Sequence, residues 1–157
     1  DRYEVLVTFN GASFDLPFLV SEFPEIRSKL DQLAHIDLRY PLKRAGYTGG
    51  LKKIEQRTGL GRKSSLSELS GADAVTLWKM AQEGEPAALA TLIRYNAEDV
   101  ASLPRLATFT YDELSGDLPV DAPLCPRMDE YSTEQLPYDE SLVSYLTRGR
   151  RPQRRRG

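Results

Sequence analysis

A chain of 157 residues, 40% hydrophobic and 28% charged, has the length and polarity of one globular domain. No apolar run approaches the ~20 residues of a membrane span, and the opening Asp1-Arg2-Tyr3-Glu4 has no signal or transit character. The single cysteine, Cys125, forbids an internal disulfide, and one cysteine with one histidine excludes a structural zinc site of the usual kind.

That composition predicts a cytoplasmic protein with no membrane partner. The net charge of −2 conceals three regions: residues 1–114 are nearly balanced, 115–147 carry seven acids against one Arg, and 148–157 carry six Arg and no acid. With no initiator Met and a strand almost at once, the chain reads as one cut inside a domain.

Glu4-Val5-Leu6-Val7-Thr8-Phe9 predicts a short strand buried on both faces, as in a parallel or mixed α/β sheet, and Asn10-Gly11 stops it. A helix opens at Phe14-Asp15-Leu16-Pro17, with Pro17 in its first turn and Asp15 at its positive end. Asp15 alone reads as a helix cap; equally, a carboxylate at a strand-to-helix turn sits where α/β sheets collect ligands. Pro24 to Asp31 is a partly helical connection, and Ala34-His35-Ile36-Asp37-Leu38 is a second strand. His35 takes a structural role, while Asp37 either faces a cleft or caps the turn toward Pro41.

From Arg39 to Lys63 the chain is +7, with Lys43, Arg44, Lys52 and Lys53 among its cations and Glu55 its one acid. Gly46, Tyr47, Gly49 and Gly50 predict a flexible loop with one aromatic. Leu51, Ile54 and Leu60 pin the next short helix, which Gly59 ends. A one-signed run is either a solvated face or a track for phosphates.

Ser70 and Asp73 make a capping box, followed by a helix whose face is Ala74, Val75, Trp78 and Ala81, with Trp78 in the core, ending at Gly84. Pro86 starts the longest helix, whose apolar stripe is Leu89, Leu92, Ile93, Val100, Leu103 and Leu106, with a kink or break expected at Pro104. Tyr95 and Asp99 lie one above the other on it. At ~100° per residue Asp99 shares the sector of Leu92, Leu103 and Leu106, so it needs a partner: a metal ion, Arg94, Arg105 or a backbone donor.

Beyond Ser115-Gly116 come Pro119, Pro123, Pro126 and Pro137 among acids, read as a largely disordered tail over 115–157 with one short docking helix at Leu142, Val143, Tyr145 and Leu146. Arg148 to Arg156 is a basic arm, either solvated or touching phosphates.

Two motifs stand in order: Asn10-x-x-x-Phe14-Asp15 after a strand, and Tyr95-x-x-x-Asp99 on a later helix, separated by His35-Ile36-Asp37-Leu38 and Gly50-Leu51-Lys52-Lys53-Ile54-Glu55. The chain resembles the RNase H-like 3′–5′ exonucleases of the DEDD type, and most closely the YprB-like family, in the version with tyrosine rather than histidine in the third motif. The resemblance covers about residues 3–112 and implies an exonuclease domain over 1–114, with an α/β, helix-rich, partial RNase H-like fold lacking the N-terminal hairpin strands.

It further implies two-metal phosphodiester hydrolysis with Mg²⁺ or Mn²⁺, for which carboxylate oxygens are the natural ligands. Asp15 and Asp99 would be the metal ligands, and Tyr95 would orient the attacking water, since a neutral phenol of pKa ~10 positions better than it deprotonates. Asn10 would support the site or touch the substrate backbone. Lys43, Arg44, Lys52 and Lys53 would contact single-stranded DNA or RNA.

The family's first motif, an Asp-x-Glu supplying two more carboxylates, has no counterpart here. The expectation is therefore a chain weak or inactive alone, completed by a missing N-terminal segment or a partner domain. The competing reading is a non-catalytic nucleic-acid-binding or interaction module.

Overall fold

A computed structural model of the chain describes residues 3–61, 64–116 and 131–148. Cys125, the acidic stretch 117–130 and the basic arm after Arg148 lie outside the described residues. The chain divides into two compact units, one holding residues 1–60 and 102–130, the other 61–101 and 131–157, and this division runs across the compositional boundary at 114/115.

The first unit is built on a parallel pair of strands, β1 (Val5–Thr8) and β2 (Ala34–Asp37), with Val5 opposite Ala34 and Thr8 opposite Asp37. Between them lie α1 (Asp15–Glu22), a 3₁₀ turn Pro24–Ile26 and α2 (Arg27–Leu30), which supply the crossover a parallel pair requires. After β2 come α3 (Arg39–Arg44), α4 (Leu51–Arg57) and, from the later chain, α7 (Leu103–Ser115). Leu38, Leu42, Ile54, Leu106 and Ala107 form its buried core, with Val7, Phe9, Tyr47, Leu51, Leu60 and Leu103 packed against them.

The expectation that β1 is buried on both faces is corrected, because Val5 is 49% exposed and Leu6, Val7 and Thr8 are only half-buried. Among the described residues the sheet has two strands.

The second unit contains a 3₁₀ turn Ser65–Glu68, α5 (Gly71–Gln82), α6 (Pro86–Ala101) and α8 (Glu140–Thr147). The capping box forms as read, with Asp73 Oδ2 accepting the Ser70 amide at 2.7 Å. Gly84 follows α5 at φ +99°, a conformation costly for any residue with a Cβ. The long helix breaks at Ser102, two residues before Pro104, so that α6 and α7 are separate.

Two faces are rotated from those expected. On α5 the buried side is Asp73 and Leu77, with Met80 and Ala81 packed beside them, whereas Trp78 is 51% exposed and Val75 is exposed as well. On α6 the buried positions are Ala88, Thr91, Arg94 and Glu98, while Leu89, Ile93 and Val100 face outward. The reason is local pairing: Thr91 donates to the Ala87 carbonyl at 2.7 Å, and Arg94 and Glu98 satisfy each other, so polar side chains occupy the interior at low cost.

The helix anticipated near Leu142 is α8, with Val143 buried and Leu142 and Leu146 packed on the Leu66, Leu69, Leu77 and Ala88 core, and Tyr145 exposed. Asp139 caps it, its Oδ1 accepting the amides of Ser141 (2.8 Å) and Leu142 (3.0 Å). The Ser141 hydroxyl, and then these two amides, hold the Asp139 carboxyl below the usual carboxylate range. A carboxyl lowered in the folded state stabilises it above the ordinary carboxylate pKa, and that contribution disappears as pH falls through the lowered value. Amide protection in α8, corrected for the intrinsic exchange rate at each pH, is therefore expected to fall more in the parent than in Asp139→Asn between about pH 5 and pH 2; an equal fall in both would contradict the cap.

Candidate functional site

The turn between β1 and α1 is fixed by a buried carboxylate. Asp37, 7% exposed at the end of β2, accepts the backbone N–H of Asn10 (2.7 Å) and of Arg39 (3.1 Å) on Oδ1, and that of Ala12 (3.0 Å) on Oδ2. Of its two readings, capping is the one the geometry supports. Asn10 adopts φ +65°, which asparagine tolerates better than most residues, and its side-chain oxygen accepts from Arg39 Nη1. Gly11 leaves no room for a side chain, since a Cβ there would stand 2.6 Å from Thr8. Asn10 thus uses its amide and its side-chain oxygen within the turn.

This turn delivers Asp15 to the first turn of α1, where it is exposed. Asp15 is the first helical residue and not the cap: Phe14 occupies the cap position and makes no side-chain capping bond. A carboxylate there meets the positive end of the helix dipole while remaining open to solvent. Nearby, on the sheet face bearing Leu6 and His35, a groove of about 460 Å³ is lined also by Leu16, Val20 and Leu30. His35 Nε2 lies 2.9 Å from Thr8 Oγ1, in keeping with its structural role.

Tyr95 and Asp99 sit one turn apart on α6, both half-buried, with Asp99 Oδ1 shielded from solvent. Tyr95 packs on the core formed by Leu66, Leu69, Leu77, Ala88 and Val143. Arg94 is not committed to Asp99 as its helix neighbourhood suggested. Its Nε donates to Glu98 Oε1 at 2.9 Å and its Nη1 to the Leu136 carbonyl at 3.0 Å. Glu98 also accepts the Ser64 hydroxyl at 2.6 Å, so this acid is engaged away from the Tyr95–Asp99 pair. The Arg94–Glu98 spacing of four was visible in the sequence; the burial was not, because Ser64 and Leu136 lie 34 and 42 residues from the groups they meet.

Tyr95 and Asp99 belong to the second unit and Asp15 to the first. Among the described residues, no three of His, Cys, Asp and Glu form a group able to hold a metal ion. The donors the chain does supply, two carboxylates and a phenol, are hard oxygens of the kind Mg²⁺ and Mn²⁺ take, and fall short in number.

Of the basic stretch, Lys43 and Arg44 are exposed in the last turn of α3, and Lys53 is exposed and Lys52 half-buried at the start of α4. The loop's aromatic is not displayed for stacking. Tyr47 packs edge-on to Phe109 with ring centroids 5.3 Å apart, and the Arg57 guanidinium lies 5.1 Å from its ring centre.

Among known proteins, residues 1–111 match the family model of the RNase H superfamily, a span that includes both motifs and most of the chain. No curated protein and no solved structure matches it. At that level the match indicates a nuclease-like hydrolase of nucleic acids, in a class that generally uses divalent metal ions. No helix among the described residues is long and apolar enough to cross a membrane. With a helix-rich α/β architecture carried on a small parallel sheet, and a family match over residues 1–111, the chain belongs to the RNase H superfamily as a partial RNase H-like fold.

Proposed function

We propose that the chain carries a metal-dependent 3′–5′ exonuclease domain of the YprB-like, tyrosine-bearing type, acting on single-stranded DNA or RNA in the cytoplasm. The observation that carries this reading is the family match across both motifs, with Asp15 opening α1 after β1 and Tyr95 one turn from Asp99 on α6. Asp15 and Asp99 would hold divalent cations, Mg²⁺ or Mn²⁺, two in a complete domain, whose chemistry is to stabilise the charge that develops on the phosphate. Tyr95 would orient a water through its hydroxyl, with its ring held by the core it packs on. Lys43, Arg44, Lys52 and Lys53 would contact phosphates, and Asn10 would act from within the turn before α1.

Because two carboxylates offset cation dehydration poorly, these 157 residues hydrolyse weakly or not at all without further acidic ligands. A Mn²⁺-supplemented assay on single-stranded oligonucleotides is expected to give trace cleavage that Asp99→Ala abolishes. Robust cleavage would overturn the predicted deficit, and cleavage indifferent to Asp99→Ala would overturn the site.

A second reading, a non-catalytic nucleic-acid-binding module, is favoured by the lack of any three-ligand group among the described residues together with the exposed Lys43, Arg44 and Lys53. Oligonucleotide binding that persists in Asp99→Ala, with no cleavage under any divalent cation even when a segment carrying an Asp-x-Glu is supplied, would select it.

A further inference from the structure

The family match ends at residue 111, yet the helix that bears Tyr95 and Asp99 is gripped from beyond it. Three contacts do this. The Asp139 amide donates to Thr91 Oγ1 at 3.0 Å, Arg94 Nη1 donates to the Leu136 carbonyl at 3.0 Å, and the Arg94 guanidinium lies 5.7 Å from the Tyr138 ring centre. Val143 is buried in the same cluster against which Tyr95, Tyr138, Leu142 and Leu146 all pack.

Thr91, Arg94 and Glu98 follow one another at intervals of three and four along one buried edge of α6. Tyr95 and Asp99 come one residue after Arg94 and Glu98, ~100° further round the helix. Apolar packing alone is non-directional and would let the helix turn or slip against its neighbours. Hydrogen bonds that tie the buried pair to its surroundings, Arg94 donating to the Leu136 carbonyl and Glu98 accepting from the Ser64 hydroxyl, define one rotation, the best-attested use of buried ionic groups.

We propose that residues 131–148 are a positioning strap for α6. Arg94 and Glu98 act as positioning residues that set the angle at which Tyr95 and Asp99 are presented, and the functional unit therefore extends past the family-matched region. The catalytic consequence rests on the reading of Tyr95 and Asp99 given above; the strap itself does not.

The test uses the full chain with 3-fluorotyrosine placed at position 95 alone, so that a single ¹⁹F signal reports the surroundings of that ring. In Arg94→Met/Glu98→Leu both charges leave together and apolar packing is kept, which favours a folded product. The expected result is a displaced or split Tyr95 signal and amide exchange at 95–99 faster by about an order of magnitude, with the melting temperature lowered by no more than about 8 °C. A group that only added stability would move the melting and leave the signal in place. Should the double variant fold poorly, Arg94→Lys keeps the charge but not the planar fork that reaches Glu98 and Leu136 together, and its Tyr95 signal is read below its melting temperature. An unchanged signal in the folded variant overturns the strap, even where Asp99→Ala abolishes cleavage. A displaced signal upholds the strap whether or not the chain cleaves, and cleavage indifferent to Asp99→Ala removes only the catalytic reading.

Discussion

Replacing Arg94 alone, as Arg94→Met, is expected to lower the unfolding free energy by about 3–5 kcal/mol, whereas Arg94→Met/Glu98→Leu is expected to cost about 0–2 kcal/mol. The single change leaves the Glu98 carboxylate, 7% exposed, with the Ser64 hydroxyl as its remaining bond among those seen here. An ionised carboxylate in that position has lost its counter-charge without regaining water. The double change removes both charges and refills the space with carbon, so the penalty of an uncompensated ion never arises. What it loses is the bond to Leu136, the Ser64 bond and the contact over Tyr138, about 0.5–1 kcal/mol each, part of which the new apolar packing offsets. Urea titrations of the parent, both single variants and the double variant give the coupling energy directly. A cost in the double variant equal to the sum of the two single costs would show that Arg94 and Glu98 act independently.

The second large effect is expected at Asp37. Asp37→Ala removes the acceptor of three backbone N–H groups at once, in a turn where Asn10 already sits at positive φ and Gly11 is pressed against Thr8. With each part-buried donor left unsatisfied at about 1–3 kcal/mol, partly relieved by water, the expected loss is about 2–5 kcal/mol. Asp37→Asn keeps one oxygen for Asn10 and Arg39 and turns an amide toward Ala12, donor against donor, so its cost should be about 1–2 kcal/mol. Chemical denaturation ranks the two, and amide exchange at Asn10, Ala12 and Arg39 locates the damage. A parent-like Asp37→Ala would mean that the turn preceding Asp15 is held by something else.

Both effects lie where the sequence was hardest to read. Breaks and caps depend on a few neighbouring residues, and these were legible: the box at Ser70 and Asp73, the stops at Gly59 and Gly84, and the helix break before Pro104. The two strands fell within a residue or two of the apolar runs that suggested them. The inward face of α6 was not legible, because Leu89 and Ile93 outweigh Ala88 and Thr91 in hydropathy, and the Leu136 carbonyl and Ser64 hydroxyl that complete the bonding of the local Arg94–Glu98 pair come from distant segments. Trp78 misled for the same reason, since size and apolarity argue for the core until Leu77 and Met80 are seen to fill it. At the candidate site, the four-residue spacing of Tyr95 and Asp99 was plain from the chain, while the anchoring of the Asn10 turn by a residue from the next strand needed the fold.

The guanidinium of Arg57 has a further consequence. It already caps the Tyr47 ring and points two nitrogens at the Gly46 carbonyl, at 3.4 and 3.5 Å, so a polyanion reaching this surface finds that cation occupied. Counting cations overstates the number of counterions an oligonucleotide would displace. If Lys43, Arg44 and Lys53 carry the contact, the logarithm of the binding constant should fall with the logarithm of salt concentration at a slope of about −2 for single strands, and Arg57→Gln should leave that slope where it was.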